Sequence, residues 1–250
     1  MATLVHGRQQ DTRQGFLAEY AELLRVLVVG GVPLGMVFGG TLLRLSMLLL
    51  RETSPDTLRG TLTDDRFVVG EVTLSGTYQL VALGGLLGLV GAAAYVLVSP
   101  WLIGGRWTRA FTVAITAGLV FGALVINPEG VDFRVLEPTW LAVALFVGIP
   151  AVFGFALVLS VDAVARAGHW TRRGRLAWAL PVAVLALVPL VAVYGGVVVG
   201  LGVALLLPAR RALLPRVVAS PAAMLGFRAV FLAVPVFAAV ALSQDLTALF

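Results

Sequence analysis

The sequence predicts an all-α, polytopic transmembrane helix bundle of six or seven spans, with a small extracytoplasmic loop or β-hairpin after the first. Three observations carry that expectation. First, six long runs contain no charged residue: Arg25 to Arg44, Glu71 to Arg106, Arg109 to Glu129, Glu137 to Asp162, Arg175 to Arg210 and Arg228 to Asp245. A charge at a bilayer centre costs about 2.5–3.5 kcal/mol even on the lenient insertion scale, so such runs are what lipid selects. Second, hydrophobic residues make up 60% of the 250 residues and charged ones 12%, roughly half the charged share of a water-soluble domain. The same apolar content excludes disorder. Third, arginines gather in the short stretches between the runs, as they do in the loops of membrane proteins.

The elements follow in order. Residues 1–22 (with Arg8, Asp11, Arg13, Glu19 and Glu22) are polar and lack the apolar centre of a signal peptide. They read as a cytoplasmic tail, leaving 23–250 as a single transmembrane domain. Span one covers 23–43, since ~30 Å of hydrocarbon takes about 20 helical residues. Its helical pattern runs on through RLSMLLLRE, setting Arg44 and Arg51 seven apart on one face of an outward extension. Residues 52–77 form the longest polar insert. In it Ser54-Pro55-Asp56 reads as a turn. Asp64-Asp65, between stretches rich in Thr, Val and Phe, reads as the tip of a hairpin. Span two covers 78–98 and ends at Ser99-Pro100. Trp101, Arg106, Trp107 and Arg109 then fit the aromatic and basic belt of a membrane interface.

Span three covers 110–126, and Asn127-Pro128-Glu129-Gly130 after it matches a type I turn. Span four starts near Pro138, a favoured first helical position, and runs to 164 before the loop RAGHWTRRGR. The run 176–207 has two readings. As one helix it would be about 48 Å long, which overshoots the hydrocarbon unless tilted. As a hairpin it turns near Pro189 or Gly195-Gly196. The hairpin puts 13 arginines inside and five (44, 51, 59, 66 and 134) outside. Loop arginine bias therefore favours seven spans with the N-terminus cytoplasmic. The last span covers 226–243, with Arg228 near its inner end.

All 18 basic residues are arginine, and with 13 acids they give a net charge of +5. Arginines in loops meet anionic lipid head groups, so lipid, not nucleic acid, is the expected partner. There is no cysteine, which removes disulfides and thiolate chemistry. The two histidines, His6 and His169, form no zinc-hydrolase motif. No serine sits in a nucleophile elbow, and without lysine there is no phosphate-cradling Gly-Lys loop. No catalytic, cofactor-binding or metal-binding residue is assigned, and no cofactor is expected.

Two constellations remain as candidates. Gly31, Gly35 and Gly39 stand four apart, putting small residues on one face where a neighbouring backbone can approach. Gly84/Gly88, Gly118/Gly122 and Gly196/Gly200 repeat the spacing. The second is an outer polar patch of Arg44, Arg51, Asp56, Asp64, Asp65, Glu71, Asp132 and Arg134. Arginines at helix ends pinning an acidic hairpin explain it better than a calcium site, because no calcium-loop spacing is present. Asp162 and Arg166, four apart, read as a helix-stabilising pair, and Glu22 with Arg25 as a similar one.

The stretches RLSMLLLRETSPDTLRGTLTDDRFVVGEVTLSGTYQL and NPEGVDFRVLEPTWLAVALFVGIPAVFG resemble an uncharacterised group of multi-pass membrane proteins from high-GC Gram-positive bacteria, of actinobacterial type. The resemblance covers about 40–165. It implies residence in a bacterial cytoplasmic membrane and brings no activity, substrate or site.

The expected function is that of a non-enzymatic membrane module: a scaffold, an accessory subunit or a lipid-interacting protein. Its partners would be membrane lipids, other membrane proteins or a second copy of the chain. The alternative is a carrier or channel for a small or apolar solute, with Pro33, Pro150, Pro181, Pro189 and Pro235 loosening helices to expose carbonyls. An enzyme acting at the lipid interface would need an acid–base pair, and no such pair stands out. A carrier requires a polar, hydrated cavity at mid-depth, whereas a scaffold requires a dry, packed bundle.

Overall fold

A computed structural model of the chain describes residues 2–54, 73–128, 133, 137–166, 168–172, 179, 183 and 220–250, with 2–18 by backbone alone. Five of the described helices are long and apolar enough to cross a membrane, and the described residues contain no strand. The expected hairpin beyond Ser54 lies outside the described residues. So, apart from 179 and 183, does the run 176–207.

The chain opens on a continuous rod. Helix α1 (Ala2–Gly35) passes through a wide π-helical segment (Met36–Leu42) into α2 (Leu43–Thr53). Residues 2–22, which the sequence suggests are a tail, are part of α1. The extension past Arg44 forms because Leu, Met and Arg favour helix. It stops where Ser54 turns extended (ψ 156°), the conformation that the following proline imposes. Helix α3 (Leu74–Val98) starts four residues before the expected span, because Thr73 caps it by accepting the Gly76 N–H at 3.1 Å. Helix α4 (Arg106–Val125) also starts early, after Gly104 turns the chain at φ +87°. Helix α5 (Thr139–Ala165) follows Pro138, which sits at its N-cap. Helix α6 (Pro221–Leu249) starts five residues before the expected 226, capped by Ser220, which accepts the Ala223 N–H at 3.4 Å. These differences share one cause. Charge-free runs mark how deep a segment sits in lipid, whereas helix ends are fixed by capping groups further out.

Packing is antiparallel between α1 and α3, where Gly31 meets Gly88 and Gly40 meets Val81. It is antiparallel again between α4 and α5, where Gly118 meets Val147 and Gly154 meets Ala114. Helix α6 lies parallel to α4: Phe227 stacks on Trp101 at 4.2 Å, and Leu242 reaches Gly122. Val28, Val32, Leu89, Val158 and Val161 form one buried cluster towards the arginine-rich end. Leu50, Ile126, Phe133, Ala142, Phe146 and Leu242 form a second at the opposite end. There α2 is tied to the start of α5: Thr53 Oγ1 donates to the Glu137 carbonyl at 2.6 Å, and the Glu137 N–H donates to Ser54 Oγ at 2.9 Å.

Candidate functional site

At mid-depth the residues of the glycine face meet another backbone directly. Gly31 lies against Gly88 and Ala92, Gly35 against Gly84 and Gly88, and Gly39 against Gly84. A Cβ added at Gly40 would stand 2.6 Å from the Cα of Val81. Without Cβ atoms the two helices gain close van der Waals and Cα–H···O contacts along the crossing. That crossing leaves no room for a solute between α1 and α3.

Polar chemistry gathers instead at the arginine-rich end, where α1, α3 and α5 meet. Arg25 is only 2% exposed. Its guanidinium grips Glu22 with two nitrogens, Nη2 to Oε1 at 2.5 Å and Nε to Oε2 at 3.1 Å. Nη1 donates to Thr171 Oγ1 at 2.6 Å, and Nη2 also donates to the Val164 carbonyl at 3.0 Å. A forked cation suits this role, since it satisfies a carboxylate and a helix-end carbonyl together. Thr171 Oγ1 in turn lies 2.7 Å from His169 Nδ1. Arg25 therefore ties α1 to the end of α5 and to the short 3-10 turn Trp170–Arg172.

The expected Asp162–Arg166 pair does not form. Helix α5 ends at Ala165, and Arg166 turns extended (ψ 141°) and exposed. Asp162 Oδ1 accepts the Tyr95 hydroxyl across to α3 at 2.8 Å instead. Tyr95→Phe would remove that donor while keeping the ring. We expect a loss of about 1–2 kcal/mol, checked by thermal unfolding in detergent micelles, with Asp162→Asn a smaller loss because the amide can still accept.

Beside this bond a cleft of about 260 Å³ opens between α1, α3 and α5. Among the described residues its polar lining is Glu19, Glu22, Asp162, Tyr95 and Ser99, with no basic residue among them. No group of three or more His, Asp or Glu among the described residues is arranged to hold a metal ion.

Of the outer patch, Arg44 and Arg51 are half-buried on α2, and Arg51 Nη1 lies 3.4 Å from its neighbour Glu52. Asp56, Asp64, Asp65, Glu71, Asp132 and Arg134 lie outside the described residues.

Sequence reasoning finds Arg25 and Asp162 but misses Tyr95, Thr171 and His169. A signal is present. Glu22, Tyr95 and Asp162 each fall within a few residues of the same end of a span, so the alternating direction of the spans sets them at one depth. Thr171 and His169, both in a loop, have no such marker. No family model, curated protein or solved structure matches the chain.

Proposed function

We propose that the chain is a non-enzymatic module of a bacterial cytoplasmic membrane, a scaffold or accessory subunit that acts by packing and not by turnover. The observation that carries this reading is the backbone contact of α1 with α3 at the glycine crossing, with the buried Arg25 cluster and the Tyr95–Asp162 bond lying off that crossing towards one end. A carrier would need the reverse arrangement, a hydrated polar site halfway across. The origin in high-GC Gram-positive bacteria belongs to the same proposal and rests on the resemblance alone.

The proposed topology has seven spans, with the N-terminus inside and the C-terminus outside. Arginine bias supports it. So does the position of two helix ends: α5 finishes beside Arg25, and α6 begins beside Trp101, both at the arginine-rich end. A chain that leaves and re-enters the bundle at one end crosses it an even number of times in between.

The chain has no native cysteine, so each introduced one is a unique probe. Single cysteines at Leu89 and Val158, both fully buried between helices, should resist a membrane-impermeant maleimide in sealed vesicles of either orientation. A cysteine at Ser99 should label from one side only. Rapid labelling at Leu89 or Val158 would favour the carrier.

A further inference from the structure

Among the described residues, Arg25 is the only buried charge. Its hold on the turn Trp170–Arg172 runs through one oxygen, the fully buried Thr171 Oγ1. That oxygen accepts from Arg25 Nη1 at 2.6 Å, which leaves its own hydrogen for the half-buried His169, whose Nδ1 lies 2.7 Å away. The Thr171 N–H also points at Nδ1, at 3.4 Å. A backbone N–H can only donate, so Nδ1 presents its lone pair there and the ring proton sits on Nε2. The contact selects the neutral imidazole.

Histidine is the side chain whose ordinary change of charge falls between pH 5 and 8. A protonated ring would set Nδ1–H against the Thr171 N–H, which cannot turn away. The buried hydroxyl would then receive two cations, and its hydrogen would lose its acceptor, an unfavourable state for a buried donor. The ionisable groups nearby do not reverse this. α1 brings Glu19, Glu22 and Arg25 to this end, α3 Tyr95, and α5 Asp162 and Arg166. Glu22 is held by Arg25, Asp162 accepts from Tyr95, and Glu19 lines the cleft beside them. After His169 the chain continues with Arg172, Arg173 and Arg175, and it contains no acid between Asp162 and Asp245. We propose that His169 is a pH-sensitive latch. Neutral, it locks the 168–172 turn onto α1 through Thr171 and Arg25. Protonated, it releases the turn, while Arg25 keeps Glu22 and the Val164 carbonyl. The turn is therefore held at neutral pH and freed as pH falls. The latch works whichever side of a membrane this end faces, and it does not rest on the function proposed above.

Amide hydrogen exchange of the full chain in detergent micelles, corrected for the intrinsic rate at each pH, reads the turn. Protection of peptides covering 168–172 should fall about tenfold between about pH 7.5 and about pH 5.5, while peptides from α4 keep theirs. His169→Asn leaves an acceptor near the place of Nδ1 but does not titrate, so its protection should not change with pH. Thr171→Val should show the low protection already at neutral pH. A second measurement needs no change in the turn. The chain has two histidines, His6 and His169, so ring nitrogen-15 resonances, assigned with His6→Gln, report the tautomer of His169 directly. The Nε2–H form is expected at neutral pH. The Nδ1–H form there would overturn the proposal, as would protection of the turn that ignores pH. An equal loss in His169→Asn and wild type would assign the response to the carboxylates and overturn it too.

Discussion

Gly35→Val should abolish accumulation of the folded protein, the largest effect expected of any single substitution here. A Cβ at Gly35 falls on the Gly84 carbonyl oxygen and 2.7 Å from both the N and Cα of Gly88. All three are backbone atoms, so no rotamer change relieves the clash and the helices must separate. Overpacking a soluble core costs about 1–3 kcal/mol. Here we expect the upper end or beyond, because the whole crossing from Gly31 to Gly40 opens at once. Gly35→Ala should fall between valine and wild type. Gly148→Ala and Gly226→Ala, where an added Cβ meets nothing within 4 Å, should stay within about 0.5 kcal/mol of wild type. Membrane-fraction yield and melting temperature in detergent check the series. A stable Gly35→Val protein would mean that α1 and α3 do not touch along this seam.

The second large effect is expected at Arg25. Arg25→Met keeps much of the side-chain bulk but strands three acceptors: the Glu22 carboxylate, the Val164 carbonyl and Thr171 Oγ1. Breaking a buried ion pair costs about 3–5 kcal/mol. Glu22 is one-third exposed, so water compensates part of this, and about 2–3 kcal/mol is the expected loss. Arg25→Lys keeps the charge but cannot fork, and should recover less than half. Thermal unfolding reads both variants. Limited proteolysis in the 166–172 loop should be faster in Arg25→Met, because the tie to Thr171 is lost.

Much of the bundle is legible in the sequence because the lipid constraint is written residue by residue. Outside a bilayer, little else would keep charge out of about 20 consecutive positions, and the four-residue glycine spacing names a face that lies against α3. Local hydrogen bonding is not legible in the same way. Thr73 and Ser220 fix helix starts four to five residues outside the apolar runs, since a cap acts at the helix end wherever the lipid begins. The i,i+4 spacing of Asp162 and Arg166 is visible in one dimension and suggests a pair. The actual partner of Asp162, Tyr95, is 67 residues away, and only the antiparallel crossing brings it near. Arg25 reads as an interface anchor beside Glu22. Its burial depends on α5 ending near Val164 and on a loop threonine, neither of which any periodicity marks.

The direction of α6 has an electrical consequence. Neighbours that run oppositely, as α4 and α5 do, set peptide dipoles head to tail. α4 and α6 run the same way, so their positive ends, each equivalent to about half a charge, converge on one corner. Arg106, Arg109 and Arg228 already stand there. An energised membrane acts on each elementary charge with about 2.3 kcal/mol per 100 mV. Across any energised membrane that corner would favour the negative side, so in a bilayer a potential would hold the helices in one orientation more firmly than its absence.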